Sequence, residues 1–409
     1  MALGTPVGSF QWMKLQNKSN ILNTIRLQGP VSRAEIASLT GLTPPTVTNI
    51  VAELLEAGLV IESELGESTG GRKPIMLRLN AEGFYVLGVY AGVSKVKAVS
   101  AGLDGTIRQR AVLPLPKEPS AENFLSLVKE TLRQVIEKTE AKREKYLGIG
   151  VGMHGLVDTE RGLSIFAPNL KLRNIPLKAE LEAEFNLTVE VENDVRALAL
   201  GESWFGQGQG LANFICINVA TGLGAGIVLD HKLYEGSTFT AGEIGHTTID
   251  IDGPQCTCGN HGCLEAMAAG PAIAERARKR IQQGDSSLLK AWTDGHLEGV
   301  TAKMVHEAAK EGDELAIGVL ADTGRYLGIG IANLLNTLNP SRIILTGGVA
   351  QAGDFVLQPL KETVARRALE TPARAVSIVT SEMGEDADAV GAFTLVLRRI
   401  FTPMGVNEL

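Results

Sequence analysis

EIGHTTIDIDGPQCTCGNHGCLE, residues 243–265, holds three of the chain's four cysteines within eight positions. Cys256-x-Cys258-x4-Cys263 is too tight a run for ordinary structural cysteines. In a chain with no sign of export, such spacing favours metal over disulfide. Three thiolates and one imidazole make a closed tetrahedral zinc site, and a closed site is structural rather than catalytic. His246 upstream and His261 inside the run compete for the fourth place. Gly259 and Gly262 let the loop fold back on itself. The plainer alternative is three reduced thiols without metal, but thiols this crowded invite oxidation.

Outward from this loop, strands alternate with helices. FYVLGVYAG (84–92), KVKAVSAG (95–102) and TIRQRAVLPL (106–115) read as successive strands. A helix over 121–139 follows, then strands over 147–155 and 187–194 and a helix over 195–204. Two strands around a glycine-rich turn fill 212–233, and helices dominate 264–336. Strands over 342–348 and 375–382 and a helix over 387–399 complete the pattern. Alternation of this kind predicts an α/β fold, here in two lobes with a cleft. At 409 residues the chain is too long for one core.

Ahead of this body lies SRAEIASLTGLTPPTVTNIVAELLEAGLV, residues 32–60. Ser32 with Glu35 three positions on is a capping box. Gly41 ends that short helix. Thr43 and Pro44 open the next at N-cap and N1. Val47, Ile50, Val51, Leu54 and Leu55 give the second helix one apolar stripe. Leu15, Ile21, Leu22 and Ile25 give a preceding helix its own. Three helices with a tight turn before the third predict a helix-turn-helix, with Thr46, Thr48 and Asn49 at the end that meets base edges and phosphates. A hairpin follows, its glycine-rich tip carrying Arg72 and Lys73, which reads as a wing for backbone or minor-groove contact. A protein-contacting three-helix module is the alternative.

Charge is consistent with a small DNA-binding head on an acidic body. Residues 1–80 carry seven Lys and Arg against six Glu, while the whole chain is at −7, so the remainder holds −8. That balance argues against a protein that coats nucleic acid non-specifically. No run of about 18 apolar residues is evident, and the first residues lack the pattern of a signal peptide, so a cytoplasmic, non-membrane protein is expected.

Glu243-Ile-Gly-His246 followed by Cys256-x-Cys-Gly-x-x-Gly-Cys-x-Glu265 resembles the signature of the ROK family (repressors, open reading frames and sugar kinases). The resemblance spans essentially the whole chain. The winged head places it with the family's repressors, such as its xylose, glucose and N-acetylglucosamine regulators. The resemblance implies a winged helix-turn-helix at 1–80 followed by an actin-like (ribonuclease H-like) sugar-kinase body at 81–409, its lobes being 81–195 plus 385–409 and 196–384. It implies a sugar site in the cleft beside structural zinc. There Asn193, Asp194, Glu243, His246 and Glu265 would bind sugar, while His246, Cys256, Cys258 and Cys263 would bind the metal, His246 serving both. Pro168-Asn169-Leu170 is similar to a family loop near the sugar, although Leu172 stands where many relatives carry Trp. For Asp194, the base of the family's kinases, the alternative is an ordinary helix N-cap.

Active kinases of the family open the body with an Asp-x-Gly-x-Thr type loop for ATP phosphates and magnesium. Here the segment is Tyr90-Ala91-Gly92-Val93-Ser94, and Tyr90 replaces the acid. Two further glycine loops survive, Ala220–Gly226 and Leu345–Gly348, which read more simply as close backbone approaches. The expectation is a sugar-responsive repressor without kinase activity, Asp194 being vestigial as a base. Its partners would be operator DNA and a sugar or sugar phosphate. Two-fold half-sites imply a homodimer or tetramer. A phosphotransferase-system protein is a further possible partner, as for some relatives. A sugar kinase that transfers phosphate from ATP to a hexose is the competing reading.

Overall fold

The computed structural model describes residues 10–65 and 73–407. The chain divides into two compact units, Met1–Asp194 with Asp388–Leu409, and Val195–Ala387.

The first unit opens with α1 (Phe10–Gln28), β1 (Val31–Ser32), α2 (Arg33–Thr40) and α3 (Pro44–Glu56). The capping box forms in full: the Glu35 amide donates to Ser32 Oγ at 3.3 Å, and the Ser32 amide to Glu35 Oε2 at 2.7 Å. Gly41 at φ 68° is the left-handed stop that only glycine adopts without strain. Val47, Ile50, Val51 and Leu54 of α3 pack with Ile21, Leu22 and Ile25 of α1 in a dry core, and Leu55 is half-buried. β2 (Val60–Leu65) and β3 (Ile75–Leu79) pair antiparallel, with β1 on the other side of β3. This is a winged helix-turn-helix. Arg72 lies outside the described residues.

The rest of this unit is a five-stranded sheet in the order β11-β7-β4-β5-β6. Its strands are β4 (Tyr85–Ala91), β5 (Lys95–Gly102), β6 (Ile107–Pro114), β7 (Tyr146–Met153) and β11 (Val189–Asn193). β4 to β6 form a meander, while β7 and β11 run parallel to β4. Ala91 and Asn193 both pair with Met153, so three strands end level. The helix α4 (Ala121–Thr139) is bounded as the sequence predicts. Between β7 and β11 lies what the periodicity missed, the small sheet β8 (Leu156–Asp158), β9 (Leu163–Ala167), β10 (Leu172–Ile175) and the helix α5 (Leu177–Phe185). Its strands are three to five residues long, too short to show alternation.

The second unit starts with α6 (Asp194–Phe205) and holds the sheet β14-β13-β12-β15-β16. These are β12 (Phe214–Val219), β13 (Leu223–Leu229), β14 (Lys232–Leu233), β15 (Arg342–Thr346) and β16 (Ser377–Thr380). Helices α7 (Leu264–Ala268), α8 (Gly270–Gln282), α9 (Leu288–Trp292), α10 (Ala302–Lys310), α11 (Glu314–Leu338), α12 (Asp354–Arg367) and α13 (Glu370–Ala375) surround it. α11 corrects one sequence expectation, because it is long and apolar enough to cross a membrane by length and composition. Most of its apolar window is buried inside the unit, against α12 and the sheet, as in a core helix. The chain returns to the first unit through α14 (Ala387–Ile400).

Candidate functional site

In the second unit the ligating atoms of His246, Cys256, Cys258 and Cys263 all lie within 4.8 Å of one another. His246, not His261, completes the group. The hairpin-like loop is held by its own backbone: the Cys256 amide donates to the Asn260 carbonyl at 2.7 Å, and the Gly262 amide to Pro254 at 2.9 Å. Gly262 must be glycine, since a Cβ there would sit 1.5 Å from the Asp250 carbonyl oxygen. Burial pushes the Cys263 thiol up to about 12, while the Asn260 backbone draws the exposed Cys258 thiol down. A bound cation reverses the first effect, because a coordinated thiol loses its proton. Three sulfurs and an imidazole at this spacing fit zinc.

His246 is two-faced. Its Nδ1 lies 3.6 Å from Cys256 Sγ, and its Nε2 lies 4.0 Å from Glu243 Oε2. The ring therefore offers one nitrogen to the metal group and turns the other toward a carboxylate. Glu265 stands beside the same cluster, Oε1 at 4.0 Å from Cys256 Sγ, and its Oε2 accepts the Leu223 amide at 2.9 Å. The fold thus brings Glu243, His246 and Glu265 together around the cysteine loop. α7, which opens directly after Cys263, carries Glu265 in its first turn.

In the first unit, Asn193 and Asp194 lie where the level strand ends meet. Asn193 Nδ2 donates to the Gly155 carbonyl at 3.0 Å, which ties β11 to the turn after β7. His154 in that turn shares a 3.0 Å hydrogen bond with Asn169, on the Pro168–Leu170 turn. Sequence reading missed His154, although a polar residue just past a buried strand was the available signal.

The end of β4 carries Tyr90. The Tyr90 ring folds over Gly92, where a Cβ would meet its Cε1, Cζ and Oη at 2.5 to 2.7 Å. Tyr90 is cross-strand partner to Lys97 of β5, a buried lysine. Burial first, then the charges of Asp194 and Asp388, raise the Tyr90 hydroxyl above its ordinary range, so it remains a neutral donor. Asp388 is pushed up to about 6 by burial and by Asp194, with Lys97 and Lys95 pulling it back. Neither Lys97 nor Asp388 was singled out from sequence. Each belongs to an element whose neighbours only the fold supplies.

A cavity of about 890 Å³ in the second unit is lined by both glycine-rich loops, through Ala220, Thr221 and Gly348. Lys303, Lys310 and Arg278 also line it. The same loops serve close approach as well: a Cβ on Gly226 would lie 2.4 Å from that of Ala199.

On the head, Thr48 and Asn49 are exposed and Thr46 is half-buried. Thr46 Oγ1 shares a 2.9 Å hydrogen bond with the cap Thr43, and Thr48 Oγ1 donates to the Pro44 carbonyl at 2.9 Å. Both hydroxyls are thereby oriented at the start of α3. Lys73 is exposed beside the wing strand. Arg33 is paired with Glu62 at 2.9 Å.

Comparison with known proteins adds the following. The ROK family model matches residues 86–399, and a winged helix-turn-helix DNA-binding model matches residues 15–61. A xylose repressor of Caldicellulosiruptor bescii is 32% identical over 391 residues, 96% of this chain and 98% of that protein. Among solved structures, a ROK family transcriptional regulator, a homologue of the E. coli MLC protein, superposes at TM-score 0.86 with 29% identity, over 97% of this chain and 99% of that one. A ROK family glucokinase from Streptomyces griseus, solved with glucose and AMPPNP, superposes at 0.68 with 34% identity, over 76% of this chain and 98% of the kinase.

Proposed function

The chain belongs to the ROK family, and on that premise we propose that it is a sugar-responsive transcriptional repressor of carbohydrate-utilisation genes, without kinase activity. The observation that carries this reading is coverage. The match to the ROK transcriptional regulator runs through head and body alike, whereas the glucokinase accounts for 76% of the chain. The head, residues 1–80, binds operator DNA. Asn49, Thr46 and Thr48 face the bases, and Arg72 and Lys73 contact the backbone. The body is a homodimer or tetramer in the cytoplasm, which sets two heads against two operator half-sites. A phosphotransferase-system protein is a further partner in this reading.

Zinc is the structural cofactor, held by His246, Cys256, Cys258 and Cys263. It fixes the imidazole so that the outer nitrogen of His246, with Glu243 and Glu265, is presented to sugar hydroxyls. Asn193 and Asp194 supply the hydroxyl contacts of the first unit. Asp194, the base in kinases of the family, serves here as a ligand. Tyr90 supports loss of phosphotransfer in this reading, because the segment carries an aromatic side chain, packed over Gly92, at the position where the resemblance would put an acid.

Sugar acts by differential affinity for two forms of the protein. A 100-fold ratio shifts the equilibrium by about 2.7 kcal/mol. The experiment is a thermal-melt panel of D-xylose, D-glucose, N-acetyl-D-glucosamine and glucose 6-phosphate on zinc-loaded protein, followed by operator release with any hit. A ligand that binds only the native state raises the melting temperature with its occupancy. No shift with any sugar, together with unchanged operator affinity, refutes the sensor.

One observation favours a second reading, a sugar kinase that also binds DNA. The two glycine loops line one cavity with Lys303 and Lys310 on its wall, chemistry suited to a nucleotide. Sugar-dependent ATP turnover equal to that of a Tyr90→Asp variant would establish it.

A further inference from the structure

The chain leaves the first unit after Asp194 and re-enters it at Asp388. These two carboxylates, far apart in sequence, come to the same strand ends: Asp194 follows Asn193, which is level with Ala91, and Asp388 precedes Ala389, which packs on Gly88, and from there both act on Tyr90. Tyr90 and Lys97 are directly paired across β4 and β5, so their side chains share one face of the sheet. Lys97 and Lys95 are the cations that act on Asp388. Tyr90, Lys97, Asp194 and Asp388 thus form one polar cluster at the edge where Asn193 and Asp194 emerge.

α14 lies on that same sheet face, and it lies flush. Gly88, Gly148 and Gly150 alternate with inward residues on β4 and β7. A Cβ on Gly88 would come within 2.4 Å of the Ala389 carbonyl oxygen, and on Gly150 within 1.8 Å of the Ala392 carbonyl oxygen. On Gly148 it would meet Val396 Cγ1 at 3.0 Å. These contacts follow β7 backwards, so α14 runs along the strands from the polar cluster toward their opposite ends. A 14-residue helix spans about 21 Å. A displacement at one end of a helix seated this closely would be carried to the other, since packed interiors have low compressibility and transmit strain.

At its far end α14 is fastened to the DNA-binding head. The Phe401 carbonyl accepts from Ser19 Oγ at 2.6 Å and from Asn23 Nδ2 at 2.9 Å, both on α1. The Arg26 guanidinium lies 5.6 Å above the Phe401 ring. Ser19 and Phe401 are both buried, so this joint is dry.

We propose that Asp388 is a positioning residue, which reads the state of Asp194 and passes it along α14 to α1 of the head. This rests on the reading of the chain as a sugar-responsive repressor. A sugar hydroxyl donated to Asp194 offsets the negative charge that Asp388 meets. Asp388 then settles toward Lys97, α14 follows, and Phe401 shifts α1. The relay uses only residues of the first unit.

The test uses full-length, zinc-loaded protein and begins without sugar. Backbone hydrogen exchange is compared between wild type and Asp388→Asn over residues 19–26. The relay predicts an exchange rate in α1 changed at least threefold. Unchanged exchange there overturns it, whatever any sugar does. Should Asp388→Asn not fold, Ser19→Ala with Asn23→Ala cuts the other end, and the same threefold change is then sought over residues 388–393. The second arm takes a sugar that stabilises wild type. Asp388→Asn is expected to bind it within threefold of wild type yet to lose at least tenfold of the sugar's effect on operator affinity, with Asp388→Glu restoring part. A merely structural residue would lower both together. Full operator response in Asp388→Asn overturns the proposal. If no sugar stabilises wild type, the sensor reading fails and the exchange arm alone decides the relay.

Discussion

The cysteine loop of the second unit and the polar cluster of the first unit are built in opposite ways. His246, Cys256, Cys258 and Cys263 come from 18 consecutive residues, and their ligating atoms fall within 4.8 Å because the loop closes on its own backbone. Tyr90, Lys97, Asp194 and Asp388 come from β4, β5, α6 and α14, and only the sheet register and the packing of α14 unite them. The first arrangement is a local motif that spacing reveals. The second is a tertiary property, in which burial does more than the neighbouring charges to raise the Tyr90 hydroxyl and the Asp388 carboxyl.

Breaking the loop is expected to have the largest effect. Cys263→Ser, at a fully buried position, should abolish stoichiometric zinc in elemental analysis and weaken sugar binding at least 1,000-fold, about 4 kcal/mol. Normal sugar affinity in the zinc-free variant would remove the loop from the sugar site.

Breaking the seat of α14 comes next. Gly150→Ala must displace the Ala392 carbonyl from 1.8 Å, an overpacking expected to cost roughly 3 kcal/mol in thermal or denaturant unfolding. The same variant should leave zinc content unchanged, which separates the two regions.

The cluster also has a pH signature. Asp388 sits at about 6 when folded against an ordinary 3.8. The folded state therefore holds this proton more tightly. Its contribution is fully present below pH 4 and is lost as pH rises through 6. A proton held that much more tightly contributes roughly 3 kcal/mol at most, and solvent around the group reduces it. Unfolding curves from pH 4 to 7 should show this slope in wild type and lack it in Asp388→Asn. Identical slopes in the two proteins would contradict the charge assignment.

The smallest effects are expected on the head. Asn49→Ala should relax specificity at one base pair, at a cost of about 1–3 kcal/mol. Lys73→Ala should weaken binding evenly across sequences and lower the salt slope by about 1. Uniform loss from both changes would reassign α3 and the wing.

Legibility in the sequence follows the same divide. The capping box at Ser32, the stop at Gly41 and the stripe of α3 are local features, and each forms as the residues predict. α4 has the predicted bounds because its amphipathic period runs over five turns. β8 to β10 and α5 escaped because strands of three to five residues carry no period. α11 shows no unbroken apolar run because Asp322 and Arg325 interrupt it, yet over its length it is apolar enough to pass for a membrane span, as a buried core helix can be. The cysteine loop was visible as spacing; spacing alone left His246 and His261 open, the family resemblance pointed to His246, and the fold groups that residue with the cysteines. Lys97 and Asp388 read as ordinary charged residues, since nothing in a strand or helix pattern reports which side chain will lie opposite.

The most direct measurement is operator affinity of the full-length, zinc-loaded protein with and without each sugar of the panel, with ATP turnover followed in the same samples. The account predicts that at least one sugar changes the operator Kd tenfold or more while ATP is not consumed. A sugar that is phosphorylated at the expense of ATP, with operator affinity unmoved, would contradict it.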